Sequence, residues 1–179
     1  MTYTHQETEQ IPYTTNSQSG VTLMELIAAL AIIAVIIVGS LSLYRAATSS
    51  QASTQLVQDV ISLRSATKSL FLGQGSYGTA ATNLNSILQS AQRVPATIKV
   101  SGSTFTHSLN GAIDVIAQGA QFDISVANIP TDVCIPLLTG TDGWATVTVA
   151  GTALTMPTTP SAAATACASG PVTIVFRSN

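Results

Sequence analysis

The sequence predicts an α+β fold in which one long N-terminal helix packs on a C-terminal antiparallel β-sheet. Three observations predict it. An apolar run occupies residues 21–44, a helical pattern of apolar residues continues to residue 72, and segments rich in β-branched residues begin at residue 96. A helix with one apolar stripe and a sheet with one apolar face can bury each other.

The composition argues against nucleic acid as a partner. Only 8% of the residues are charged, against about 25% in ordinary soluble domains. Lys and Arg together number six and form no cluster. A surface that binds nucleic acid needs grouped cations to neutralise phosphates. We therefore predict no nucleic-acid binding by this chain.

Residues 1–20 are polar and have no apolar period. They contain Glu7 and Glu9 but no Lys or Arg. A segment of this kind cannot bury enough apolar surface to fold alone. We predict that it is a disordered or removable leader.

The apolar run is long enough to cross a membrane, since about 20 residues suffice for a helix. Glu25 is its only charged residue, and the first basic residue after it is Arg45. These two are separated by about 30 Å along a helix. One interpretation makes Glu25 the polar flank of an ordinary anchor. The other requires a cation from another chain or from a new amino terminus, because buried charges need partners.

The helical pattern continues through residues 45–72, so one helix is predicted from about residue 21 to residue 72. Apolar residues recur at spacings of three and four, which marks one face of a helix. This face comprises Leu56, Val60, Leu63, Thr67 and Leu70 or Phe71, and the opposite face carries Gln58, Asp59, Arg64 and Lys68.

The helix is predicted to end at the segment GQGSYG, residues 73–78, because glycines take the left-handed geometry that ends helices. These residues also fit the pattern G-x-G-x-x-G. A dinucleotide-binding site is not predicted from them, because that motif must follow a strand and open a helix.

The remaining chain reads as a small helix followed by strands. A short helix is predicted within residues 79–93, with Leu84, Ile87, Leu88 and Ala91 on one side. A second one can start at Thr131, although Pro136 disfavours it. Residues 151–170 are predicted to be a loop. The predicted strands are residues 96–100, 112–117, 121–127, 144–150 and 171–176, each rich in β-branched residues.

No catalytic arrangement is apparent, and an enzyme is not predicted. His107 is interpreted as an exposed loop histidine. Asp132 and Asp142 suit cap and turn positions, and Asp114 and Asp123 are scattered among strands. A zinc site needs about four ligands, which the histidines and cysteines do not supply in a recognisable spacing. We therefore predict neither a metal site nor a cofactor.

The two cysteines, Cys134 and Cys167, leave two interpretations open. They can form a disulfide if this part of the chain is exported to an oxidising compartment. Alternatively they are two unpaired buried thiols, which behave as small apolar side chains.

The segment SGVTLMELIAALAIIAVIIVG resembles the processing site and helix start of type IV prepilins. That family has a glycine, a cleaved bond, a hydrophobic first residue and a glutamate at the fifth mature position. Gly20, Val21 and Glu25 occupy these positions here. The resemblance implies that a prepilin peptidase cuts after Gly20 and methylates the amino group of Val21. The ammonium of a neighbouring subunit is then the expected partner of Glu25.

The long leader, the valine at the first mature position and the cysteines near the end resemble type IVb pilins, including enteric adhesive and plasmid-encoded thin conjugative pilins. This resemblance implies a disulfide between Cys134 and Cys167. It also implies four parts of the chain: a cleaved leader, a hydrophobic helix that forms the span and filament core, its amphipathic continuation, and a globular α+β head. Their predicted bounds are 1–20, 21–45, 46–72 and 73–179.

The implied function is that of a structural subunit of a surface filament for adhesion, aggregation or conjugative mating. Its partners are then copies of itself, the prepilin peptidase and the assembly machinery of the inner membrane. It would reside in the inner membrane before assembly and on the cell surface afterwards. The alternatives are a minor pilin, a type II secretion pseudopilin, or a membrane-anchored exported binding domain that does not polymerise.

Overall fold

A computed structural model describes residues 20–178, which form four helices and seven strands. The helices are α1 (Leu23–Leu70), α2 (Asn85–Ser90), α3 (Thr131–Thr139) and α4 (Pro160–Ala166). The strands are β1 (Lys99–Ser101), β2 (Thr104–Thr106), β3 (Ala112–Gln118), β4 (Gln121–Ile129), β5 (Thr146–Val149), β6 (Thr152–Leu154) and β7 (Val172–Ser178).

Helix α1 runs through two compact units of the chain, one ending at Ser42 and the other beginning at Leu43. No proline interrupts the helix, so every backbone N–H after its first turn can donate a hydrogen bond to the carbonyl four residues earlier. It covers most of the single helix predicted for residues 21–72. The helix ends before Gly73, which has φ +83° and so adopts the left-handed backbone that stops a helix.

The seven strands form one antiparallel sheet in the order β1-β2-β3-β4-β7-β5-β6. The last strand, β7, lies between β4 and β5, so the end of the chain occupies an interior position of the sheet. Along β7 buried residues alternate with more exposed ones, as expected for a sheet with one face turned to the core. The predicted fold class, a long helix and an antiparallel sheet with one disulfide, is confirmed.

The core lies between the sheet and the second half of α1. The predicted apolar stripe is buried, with Leu56, Val60 and Leu63 all fully inaccessible to solvent. Three phenylalanines of the sheet, Phe105, Phe122 and Phe176, are equally buried in the same cluster. The prediction for Asp59 was wrong, because this residue was placed on the polar face of the helix but is only 3% exposed.

Several predicted boundaries were wrong. The first predicted strand, residues 96–100, begins only at Lys99. The short helix predicted within residues 79–93 is present as α2. Leu84, just before it, and Leu88 are buried as predicted, but Ile87 is 44% exposed. Strand β2 was not predicted, because three residues give too short a period to recognise.

The segment 151–170 was predicted to be a loop but contains β6 and α4. Thr159 caps α4, since its hydroxyl oxygen accepts a hydrogen bond of 3.3 Å from the Ala162 backbone N–H. Pro160 occupies the first turn, where its missing N–H costs nothing. The Thr-Pro pair followed by an alanine-rich stretch is the sequence signal from which this helix could have been predicted.

Truncating the buried stripe should destabilise the head. Leu63→Ala in the full chain in detergent should lower the free energy of unfolding by about 2–5 kcal/mol, because it leaves a cavity in a filled core. The fluorescence of the single tryptophan, Trp144, during denaturant unfolding measures it. Ile61→Ala is the matched control, since Ile61 lies on the same helix but is 47% exposed. Equal losses for the two variants would contradict this assignment of the core.

Candidate functional site

The residues in front of α1 are the first part of the candidate site. Gly20, Val21 and Thr22 are exposed and have no helical assignment, and α1 begins at Leu23. The hydroxyl oxygen of Thr22 accepts a hydrogen bond of 3.3 Å from the backbone N–H of Glu25. The Thr22 carbonyl accepts a second bond, of 3.1 Å, from the backbone N–H of Leu26. Thr22 is therefore the N-cap of the helix.

Glu25 thus stands in the first turn of α1, three residues after its cap. The pattern Thr-x-x-Glu is that of a capping box. A carboxylate in the first turn is also favoured by the helix dipole, typically by about 0.3–1 kcal/mol. Sequence reasoning considered a charge partner for Glu25 and a polar flank of an anchor, and it missed this local role, although the spacing from Thr22 is a signal for it.

The first half of α1 is apolar and uncovered. Its most apolar stretch of 18 residues has a mean hydropathy of 2.8, and none of that stretch is buried. By length and composition it can cross a membrane. The exposed large apolar side chains include Leu23, Met24, Leu26, Ile27, Leu30, Ile32, Ile33, Val35, Ile36, Ile37, Val38, Leu41 and Leu43.

Glu25 has no cation beside it in the described part of the chain. Among residues 20–178 the ion pair present is the one between Asp123 and Arg177, in which a guanidinium nitrogen and a carboxylate oxygen are 2.7 Å apart. The nearest basic residue after Glu25 along α1 is Arg45, about 30 Å away at 1.5 Å per residue. Any charge partner of Glu25 must therefore come from outside the described residues.

The two cysteines are joined, which decides between the two interpretations. Cys134 in α3 and Cys167 at the end of α4 form a disulfide, with their Cα atoms 6.0 Å apart. Both are fully buried. Closing a loop across a sequence separation of 33 residues stabilises a fold by about 3–4 kcal/mol in the chain-entropy model.

The prediction for His107 was wrong, because this residue was expected in an exposed loop and is completely buried. Its Nδ1 accepts a hydrogen bond of 3.2 Å from the backbone N–H of Leu109. Nε2 lies 2.8 Å from the Ala127 carbonyl oxygen and so must carry the proton that it donates. Gly111 is packed so closely that a Cβ there would overlap both the ring and that carbonyl. The imidazole is therefore held neutral in one tautomer.

Asp59 lies on the buried side of α1 and forms a polar cluster with Thr97 and His107. The Thr97 hydroxyl donates a hydrogen bond to Oδ1, while Oδ2 is buried with no hydrogen-bond partner. Burial raises the pKa of Asp59, and the Thr97 bond and the His107 charge oppose that rise. Burial lowers the pKa of His107, and the Ala127 bond and the Asp59 charge oppose that fall. For both groups the fold thus shifts the protonation equilibrium toward the neutral form.

The other carboxylates have structural partners or lie on separate elements. Asp114 accepts hydrogen bonds from the side chains of Asn83 and Asn85. Asp132 lies in the first turn of α3, and Asp142 precedes the turn residue Gly143. No group of three His, Cys, Asp or Glu residues within the described ranges can hold a metal ion.

Comparison with known proteins decides the family. A family model described as PilS N terminal matches residues 49–179. The chain belongs to this PilS family. A second model, the prokaryotic N-terminal methylation motif, matches residues 15–41. A search of curated proteins gave no match.

The fold of this PilS-family chain is also that of a solved pilin. The crystal structure of TcpA, a type IV pilin from Vibrio cholerae El Tor biotype, matches with a TM-score of 0.56 and 16% sequence identity. The match covers 72% of this chain and 99% of that chain. Together with the two family models, this likeness of fold confirms the resemblance to type IV pilins and supports a pilin subunit.

The buried polar cluster should make the stability of the PilS-family head depend on pH. The unfolded chain takes up a proton at His107 below about pH 6.5 and the folded chain resists it, so His107 should lower stability as pH falls below 6.5. Asp59 acts oppositely, since its raised pKa adds stability as pH falls toward 3.8. Unfolding free energies of the full chain between about pH 5 and pH 7 measure the balance.

Two variants separate these contributions. Asp59→Asn should steepen the loss of stability toward acid, because it removes the opposing group and a charge that favours the imidazolium. His107→Gln should abolish that loss. A pH slope that is the same in the parent and in both variants would contradict the assignment of the slope to this cluster.

Proposed function

We propose that the chain is the precursor of a structural subunit of a type IVb pilus. It is inserted in the inner membrane as a prepilin, cleaved after Gly20, methylated on Val21 and then polymerised. In this proposal residues 1–20 are the leader and residues 21–45 form the span and later the filament core. Residues 46–72 continue the same helix, and residues 73–179 form the head.

The uncovered apolar half of α1 is the observation that carries this proposal. A helix that is apolar on all sides must lie in lipid or among other apolar helices. The bilayer supplies the first environment for a single precursor, and neighbouring copies supply the second in a filament. Each copy then exchanges contact with lipid for contact with the same segment of other copies.

Glu25 supports a register function within that assembly. An ionised group inside a membrane segment is costly and tends to be functional. Removal of the leader creates a new amino group at Val21, which is a cation at the correct end of the segment. If Glu25 binds the ammonium of a neighbouring copy, only one axial offset between the copies satisfies both charges. A single buried polar residue fixes the register of coiled coils in the same way.

The exposed part of the filament would be formed by the heads. From residue 21 onward the chain has six basic and six acidic side chains, so its side-chain charges cancel. Surfaces near zero net charge repel each other weakly. This supports association between filaments, and the proposal includes adhesion, aggregation or conjugative mating as the roles that such filaments serve.

The alternatives share some of these features. A minor pilin or a type II secretion pseudopilin would use the same helix start and the same processing. A membrane-anchored exported binding domain would keep the span but would need neither the cut nor Glu25. The N-terminus of the mature protein and the effect of Glu25 variants separate that last class from the pilins.

The first experiment is intact mass and N-terminal peptide mapping of the protein from its native cell surface. We expect a chain that starts at methylated Val21, because the residues before α1 fit the cut and the methylation motif. A chain that retains residues 1–20 in a host with an active prepilin peptidase would overturn the proposal. That result would favour the membrane-anchored domain.

Two Glu25 variants test the register function. Glu25→Gln keeps a capping-box residue but removes the charge, so we expect normal insertion and processing and at least about a tenfold loss of filaments, which corresponds to about 1.4 kcal/mol. Glu25→Ala removes both and should assemble no better. Electron microscopy and quantification of sheared surface filaments measure the yield. Filaments at the parental level from Glu25→Gln would exclude the charge pair.

A further inference from the structure

The position of the Thr22 cap has a consequence for processing that rests on the proposed function. The bond to be cut joins Gly20 and Val21, and both residues are exposed and non-helical. Thr22 alone separates them from the first helical residue, Leu23. We propose that Thr22 is a positioning residue, whose hydroxyl ends the helix at this point and keeps the bond in cleavable, non-helical backbone.

Cleavage requires that the backbone at this bond is non-helical and accessible. Water adds to the Gly20 carbonyl carbon and the bond to the Val21 nitrogen breaks. Gly20 leaves as a carboxylate, and Val21 gains protons and becomes an ammonium. If Gly20 were helical, its carbonyl oxygen would accept the N–H of the residue four positions later, and the next turn would cover one side of the carbon. A peptidase would first have to unwind that turn.

Without a cap at Thr22, extension of the helix toward the leader is the favoured outcome. The first N–H groups of a helix have no partner within it. In or near lipid an unsatisfied N–H costs several kcal/mol, and upstream carbonyls would satisfy these groups. Asn16, Ser17 and Ser19 are residue types that can cap such an extended helix. Gly20 opposes the extension only in part, because glycine is a weak helix former.

Direct recognition of the threonine side chain by the peptidase is the competing explanation. The two explanations differ in which replacements they tolerate. A cap needs only a short side chain with an acceptor atom, so serine and asparagine serve as well as threonine or better. Recognition of the threonine shape would instead tolerate valine, which has the same outline without the acceptor.

The test follows the cleavage of the full precursor in membranes that contain a prepilin peptidase. Rates come from the mass of the product at successive times for the parent, Thr22→Val, Thr22→Ser and Thr22→Asn. Loss of a cap changes a helix equilibrium on the order of two- to thirty-fold. We therefore expect Thr22→Val to be cut slower by a factor in that range, and both capping variants to be cut within about twofold of the parent rate.

Hydrogen exchange of the precursor in micelles provides the readout at the bond itself. We expect the Leu23 and Met24 amides, which have no helical partner when the cap is at Thr22, to exchange fast in the parent and in both capping variants. In Thr22→Val these amides should be protected, because the extended helix supplies them with upstream carbonyls. Membrane insertion, measured by carbonate extraction, should be equal for all four chains, so a defect in insertion cannot imitate the effect.

Three results would overturn the inference. The first is parental cleavage of Thr22→Val, and the second is cleavage of the serine and asparagine variants as slow as that of Thr22→Val. Either leaves the proposed pilin function intact, because the parent is still cut after Gly20. The third is a parent chain that this peptidase does not cut, which overturns the proposed function together with the inference.

Discussion

The head depends on the contact between the apolar stripe of α1 and the sheet. Leu56, Val60 and Leu63 lose all contact with solvent there. The same helix is also tied to the end of the chain, since Arg64 donates a hydrogen bond of 3.0 Å to the Ser178 hydroxyl and lies 4.5 Å from the centre of the Trp144 ring. Because β7 lies inside the sheet, these contacts tie the second half of α1 to the interior of the sheet.

The first half of α1 is in the opposite situation, because its apolar side chains are exposed. Its apolar side chains find no cover among the described residues, yet the hydrophobic effect stabilises their removal from water by roughly 25 cal/mol per Å². Such a segment is therefore stabilised by a lipid or protein environment beyond the described residues. The few charges of the chain follow this division, since 21–44 contains only Glu25 whereas the paired or hydrogen-bonded carboxylates Asp114 and Asp123 belong to the head.

Long helices and strands could be predicted from the sequence, whereas very short strands could not. The long helix and the strand at Ala112–Gln118 have enough residues for a period to emerge, whereas β2 and β6 have three residues each. The burial of His107 could not be predicted, because it depends on a carbonyl twenty residues away and on the space that Gly111 leaves. The pairing of the cysteines was implied by the family resemblance, and their bond is present.

At the start of α1 the same few residues meet two requirements that arise at different times. The cap by Thr22 and the first-turn position of Glu25 act within a single chain and require hydrogen-bonding groups at a fixed spacing. In the proposed filament, a partner for the Glu25 charge becomes available only after the amino group of Val21 is released, and it requires a second chain. An amide can meet the first requirement, but only a carboxylate can meet the second. If the proposal holds, the charge explains the choice of glutamate, and the helix start explains its position.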